Sequence, residues 1–437
     1  MKRKLVLSLA VGLVALAGWA QNIDKTNIDA YFDTLANNNK FMGSIAISRS
    51  NEVVYAKTVG FADVEHKLKA NENTRYRIAS TSKTFTTVLI FKAIEENKLR
   101  LNQTLSDFFP TIENADKITI EQILYHRSGL PDILWNDDID WTQPRTEKEM
   151  IEMISNAESD FVPDTQDNYI NTGFFLLSYI LEKIYDKPYS EILEAKIIKP
   201  IALKNTYLAQ NINIENNECY AYSHYGWVNQ PMIDQTALLG ASGIVSNAVD
   251  LTAFINALFN GKLISMASLQ QMKTFKGDYG MGLFELSFSN KTGFWIEGGL
   301  RGFRSWLAYF PESNTSVALT ANGINFDLMD VIDTALKAAF NKPFEIPEIE
   351  TYHVTDEDLD KYTGVYSSEV LPVKMYITKV NNTLYRQLGG GDPIPMEPFS
   401  EDTFEIAAYK TLLEFSPSEK TIRFNQRGNV YIFTKDE

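Results

Sequence analysis

Cysteine is almost absent from this chain. Cys219 is the only one among 437 residues, so an intrachain disulfide is impossible and stability must come from burial. Histidine is scarce as well. His66, His126, His224 and His353 stand far apart with no ligand-spaced pair among them, so neither a metal nor another cofactor is expected. His224 follows Cys219 by five residues, and an incidental buried thiol explains the pair better than a thiol–imidazole couple. Positive charge is in deficit: 41 Lys and Arg against 56 Asp and Glu give a net −15. Nucleic acids and anionic membrane surfaces reward basic patches, so both are excluded as partners. Repeats and low-complexity tracts are lacking, and Gly389-Gly390-Gly391 reads as a turn rather than a phosphate loop, since no helix start follows it.

Long apolar runs are missing except at the start. Lys2, Arg3 and Lys4 precede an uncharged stretch, 5–20, with Gly18 and Ala20 before a cut ahead of Gln21. That is the layout of a secretory signal peptide. The stretch is shorter than the ~20 apolar residues of a spanning helix, and no cysteine offers a lipid anchor. The expectation is a chain exported across the inner membrane to a periplasmic or extracellular location, with no membrane anchor after cleavage.

What remains is rich in core material, with 44% hydrophobic and 12% aromatic residues. Residues 23–41 carry helical spacing in Ile28, Tyr31, Phe32 and Leu35. Two strand-like runs, 43–49 and 52–59, flank the turn Ser50-Asn51. A helix is expected over 80–97, helical segments with loops over about 100–270, strands at 293–303, 306–310 and 316–319, and a closing helix at 327–340. Strands at both ends with helices between predict an α+β domain, 21–340, with one antiparallel sheet and an inserted helical lobe. Residues 341–355 are acidic and proline-bearing, as a linker would be. The seven short alternating runs that follow predict a small all-β barrel or sandwich at 356–437.

Ser80 and Lys83, in Ile78-Ala79-Ser80-Thr81-Ser82-Lys83, are three apart and share a helix face. A serine hydroxyl needs a neighbouring base to become a nucleophile. Lysine can be that base when burial or nearby positive charge lowers its pKa. A serine in the first helical turn also offers an unpaired backbone N–H to developing negative charge. The second element is Tyr169-Ile170-Asn171, the one tyrosine of 21 with asparagine two residues on. A phenol whose pKa is lowered by the ammonium would shuttle protons, and Asn171 would hold an amide and orient the lysine.

Together Ser80, Lys83, Tyr169 and Asn171 resemble the first two motifs of the class C β-lactamases, the D-alanyl-D-alanine carboxypeptidases and the related esterases and D-aminopeptidases. Ile123 to Pro131, Ala241 to Ser246 and Gly302-Phe303 resemble that group too, so the likeness covers roughly 25–340. It implies a β-lactamase/transpeptidase-like fold and an acyl-enzyme mechanism. In that mechanism Ser80 attacks a carbonyl, Lys83 and Tyr169 handle the proton, and the N–H groups of Ser80 and Gly299 hold the oxyanion. The partner would be a small-molecule or peptide substrate; the oligomeric state is left open.

The third motif of that group, a Lys or His followed two residues later by Gly, is broken here. Anchoring on Gly298-Gly299 puts Ile296-Glu297-Gly298 in its place, with isoleucine in the basic slot and glutamate in the hydroxyl slot. A register with Glu297 in the basic slot still leaves an acid. Lys291-Thr292-Gly293 spells the motif five residues early and is read as coincidence. A carboxylate at 297 would repel a substrate carboxylate, which argues against efficient β-lactam hydrolysis and for a neutral ester or an amine-bearing substrate. Strand alternation equally permits Glu297 to point away, and Arg301 or Arg304 could restore a cation. The rival reading is a catalytically silent penicillin-binding-like protein that binds cell-wall fragments.

Overall fold

The computed structural model describes residues 23–135, 139–223, 225–349 and 352–436. The expected signal peptide, 1–20, and His224 lie outside the described residues. Helix α1 (Lys25–Asn37) starts at Asp24, whose carboxylate accepts from Asn27 N at 3.1 Å, and buries Ile28, Tyr31, Phe32 and Leu35. It stops before Phe41, which the sequence reading placed in the helix but which opens strand β1 (Phe41–Arg49). β1 turns into β2 (Glu52–Val59) through Ser50 and Asn51, both in the left-handed region. That conformation suits a tight hairpin turn.

Next come α2 (Ser82–Glu95), α3 (Thr172–Tyr185) and α4 (Ala248–Phe259), the main helices of the lobe between the two halves of the sheet. Four late strands complete the sheet: β3 (Phe284–Phe288), β4 (Lys291–Leu300), β5 (Phe303–Phe310) and β6 (Thr315–Ile324). Their order is β3-β4-β5-β6-β1-β2. Arg301, at φ +52°, turns β4 into β5, so the single run expected over 293–303 is a strand, a turn and a new strand. β3 was not foreseen.

Helix α5 (Leu328–Ala339), capped by Asp327, packs with α1 on one face of the sheet around Trp306, Phe310 and Leu319. On the other face α2 and α4 meet Ile296, Leu307 and Ala318. β1 lies centrally between the layers, and all but its last residue are buried. α2 is buried nearly all round, as a helix inside a lobe should be. Phe85 of α2 stacks on Phe254 of α4 at 3.6 Å between ring centroids. Truncating either ring to alanine would cost about 3–5 kcal/mol.

The C-terminal strands are β7 (Gly364–Ser367), β8 (Lys374–Val380), β9 (Thr383–Leu388), β10 (Ile394–Pro395), β11 (Glu397–Ser400), β12 (Thr403–Ile406), β13 (Thr411–Ser416), β14 (Thr421–Gln426) and β15 (Asn429–Lys435). They pair in the order β10-β9-β8-β7-β15-β14-β13-β12-β11. The two outer strands, β10 and β11, are separated by Met396 alone, so the sheet rolls upon itself as a barrel around Met375, Ile377, Phe404, Leu413 and Phe433. The barrel docks on the sheet through Lys40, 3% exposed, whose Nζ lies 2.6 Å from Glu397 and 3.0 Å from Glu405. Asn325 adds a bond to Glu397 at 2.9 Å.

Candidate active site

Ser80 lies in a 3₁₀ turn, Ala79–Thr81, immediately ahead of α2. The α-helix begins at Ser82, not at Ser80 as the spacing suggested, yet the three-residue offset still brings the side chains together. Ala79 has φ +46°, a conformation that costs a non-glycine residue of order 1 kcal/mol or more and persists where its surroundings impose it. Here they do. Ser305 Oγ donates to Ile78 O at 2.6 Å and lies 2.8 Å from Thr81 Oγ1, gripping the turn from β5. Gly298 of β4 presses so close that a Cβ would lie 2.2 Å from Ile78 O and 2.9 Å from Ser80 N.

Lys83 is 1% exposed. Its Nζ lies 3.1 Å from Ser80 Oγ, 2.8 Å from Asn171 Oδ1 and 3.0 Å from the Ala241 carbonyl. Burial pulls its pKa from 10.5 to about 7, against the opposing charge of Asp132. Near neutral pH a substantial share of Lys83 is therefore free amine, able to take the serine proton.

Asn171 is the residue before α3, and both its backbone N–H and its Nδ2 donate to Asp132 Oδ2, at 3.2 and 2.8 Å. Sequence reading missed Asp132. It follows Pro131 directly in a loop, with no periodicity or spacing to mark it, and only its adjacency to the family-like run ending at Pro131 could have drawn notice. It also missed the Ala241 carbonyl, since a backbone acceptor leaves no trace in side-chain identity.

The Tyr169 phenol is held above its ordinary pKa, chiefly by burial, with Asp132, Glu297 and Tyr279 adding to the rise and the neighbouring Ser80 side chain opposing it. The lowered phenol pKa expected beside an ammonium is thus corrected: Lys83 Nζ sits 4.9 Å from the ring centroid, over its face, and desolvation dominates. Tyr169 is a neutral phenol, able to donate a proton, and Lys83 is the group of the two that loses its proton more readily.

The cleft in front of Ser80 has a volume of about 640 Å³ and is lined by Tyr169, Asn171, Ser242, Glu297, Gly299 and Arg301 with the apolar Leu134, Ile139, Trp141, Ile233 and Phe284. β3 pairs only with residues 291–295 of β4, so 296–300 run on past their partner beside the cleft. Glu297 and Gly299 face the cleft rim. Ile296, 2% exposed, does not: it belongs to the core on the side Gly298 presents to Ser80. Lys291 sits at the far end of β4, roughly 25 Å of strand from Gly299, beside Glu312 at 3.8 Å.

Glu297 is exposed, yet its surroundings raise its pKa by desolvation, with Arg304 opposing. Arg304 does not reach into the cleft. Its Nη1 donates to the carbonyls of Arg301 and Phe303, at 3.0 and 2.8 Å, and packs over Gly299, bracing the turn after β4. Arg301 remains as the cation on the cleft wall. Cys219 is buried and donates to Arg75 O at 3.3 Å, a structural role. Among the described residues no cluster of His, Cys, Asp or Glu is placed to hold a metal, and no helix is long and apolar enough to cross a membrane.

The Beta-lactamase family profile matches residues 28–340. The chain belongs to the beta-lactamase family. Similar proteins include a penicillin-binding protein of Bacillus subtilis, 24% identical over 431 residues, covering 90% of this chain and 94% of that one. Protein flp of Staphylococcus aureus is 24% identical over 295 residues, 64% of this chain and 59% of flp. Among solved structures, an octameric penicillin-binding protein homologue from Pyrococcus abyssi shares the fold at a TM-score of 0.64 and 22% identity, covering 94% of this chain and all of that one. A D-amino acid amidase from Ochrobactrum anthropi does so at 0.62 and 23%, covering 72% of this chain and 98% of the amidase.

Proposed function

We propose that this chain is a serine hydrolase that opens an amide, lactam or ester through an acyl-enzyme on Ser80. The observation that carries this reading is the buried Lys83 amine, 3.1 Å from the Ser80 hydroxyl and drawn to a pKa of about 7. Lys83 takes the serine proton as Oγ attacks the carbonyl. Tyr169 passes a proton to the departing amine or alkoxide, and water then frees the acyl group by the reverse relay. The N–H groups of Ser80 and Gly299 receive the oxyanion, each worth on the order of a hundredfold in rate.

The substrate we propose is neutral or bears a free amine. Glu297 on the rim disfavours a substrate carboxylate: two like charges about 4 Å apart cost on the order of 1 to 4 kcal/mol between bulk water and a protein surface. The amidase likeness is compatible with this, since an amino acid amide carries an amine and no free carboxylate. Efficient turnover of penicillins is not expected. Ile296 in the slot of a cationic residue favours the rival reading, a silent binder of cell-wall fragments. Both are separated by one panel: p-nitrophenyl acetate, amino acid amides and nitrocefin, with Ser80→Ala as control. Turnover of the ester or amides supports hydrolysis; binding without turnover supports the rival. We further propose export to the periplasm or beyond, tested by N-terminal sequencing of the protein recovered from cell fractions.

A further inference from the structure

Tyr169 is held by His126 at three points. The two rings stack with centroids 4.6 Å apart and planes 25° apart. Ile170 N, just after the tyrosine, donates to His126 Nδ1 at 3.1 Å. Asn168 N, just before it, donates to the His126 carbonyl at 2.9 Å. His126 is 3% exposed and adopts φ +57°, a left-handed conformation that histidine tolerates better than most residues.

We propose that His126 is a positioning residue for the reaction at Ser80, fixing the ring of Tyr169 and both flanking amides so that its hydroxyl stays beside the serine. An acceptor at Nδ1 puts the ring proton on Nε2 and requires a neutral imidazole. The site supplies that state, since burial and the nearby Lys83 pull the His126 pKa down to about 3. Histidine joins two properties here that other side chains offer singly. Phenylalanine has the ring face without the acceptor. Asparagine has the acceptor and the left-handed backbone without the ring.

The proposal rests on the reading of Ser80 and Tyr169 given above, and its test separates the two. With p-nitrophenyl acetate as probe, His126→Asn and His126→Phe should each lower kcat about tenfold or more while KM stays within about twofold. In a Tyr169→Phe background the same changes should alter kcat by less than about twofold, because His126 acts through the phenol. Equal losses in both backgrounds would make His126 a scaffold residue independent of Tyr169 and overturn the proposal. Should His126→Phe fail to fold, His126→Asn carries the cycle. A crystal structure of His126→Asn tests the same point without any activity. The Tyr169 ring should have shifted away from Ser80, and an unmoved tyrosine would overturn the proposal. A wild-type protein that hydrolyses nothing and takes no fluorophosphonate label fails the hydrolase reading instead, and leaves that structural comparison standing.

Discussion

Asp132 accepts two hydrogen bonds from Asn171 on one carboxylate oxygen. With its amide nitrogen so engaged, Asn171 turns Oδ1 toward Lys83. One acid thus sets the orientation of the asparagine and also opposes the fall in the Lys83 pKa.

Asp132→Asn should therefore move the acid limb of kcat/KM to lower pH. In the proposed mechanism the free amine of Lys83 is the active form, so activity should rise as pH passes its pKa of about 7. Removing a neighbouring negative charge destabilises the ammonium and lowers that pKa further. kcat should drop as well, because Asn171 loses its fixed orientation. A pH–rate profile checks the sign; a limb that stays or moves upward would separate Asp132 from Lys83.

The two glycines of β4 should answer differently to alanine. At Gly298 the new methyl would meet the backbone of Ile78 and Ser80, and the serine turn would have to shift. Gly298→Ala should cost about a hundredfold or more in kcat, in line with a nucleophile displaced by an ångström. At Gly299 the nearest atom to a Cβ is Arg304 Nη1, at 3.3 Å, the end of a flexible side chain. Gly299→Ala should keep kcat within about threefold. Steady-state kinetics on p-nitrophenyl acetate distinguish the pair.

Glu297→Gln should raise nitrocefin turnover relative to p-nitrophenyl acetate, by about tenfold if the carboxylates approach closely. The raised pKa of Glu297 gives the same ratio a pH dependence in the wild-type protein. As pH falls, Glu297 is neutralised earlier than an ordinary glutamate, so the ratio should climb toward acid and flatten in the variant. A ratio independent of pH in both would place Glu297 outside substrate contact.

The sheet and the grouping of Ser80 with Lys83 and Tyr169 were legible because their signals are local. Two strand-like runs split by the turn Ser50-Asn51 mark 43–59, and a three-residue offset joins Ser80 to Lys83 whether the first residue is in a helix or in the 3₁₀ turn before it. What sequence could not give depends on groups distant in the chain. The Tyr169 pKa was misjudged because a nearby ammonium was visible and the degree of burial was not. Asp132 and His126 act through contacts 39 and 44 residues away. β10 and β11, two and four residues long and carrying Pro395 and Pro398, fall below the length at which alternation can be read.

Lys40→Met should loosen the barrel from the sheet. The substitution leaves Glu397 and Glu405 facing each other without their shared cation. Both acids keep some contact with solvent, so the loss should be about 2–3 kcal/mol, below the full cost of breaking a buried pair. Thermal melting should fall, and limited proteolysis should cut faster within residues 341–355.

The proposed chemistry stands on Ser80 being a nucleophile activated by the amine of Lys83. Intact-protein mass spectrometry after exposure to a fluorophosphonate tests it most directly. A single adduct should form on the wild-type chain, at a rate that rises with pH through about 7, slow strongly in Lys83→Met and vanish in Ser80→Ala. Labelling of Ser80→Ala at the wild-type rate, or no adduct on the wild-type chain at any pH, would contradict it.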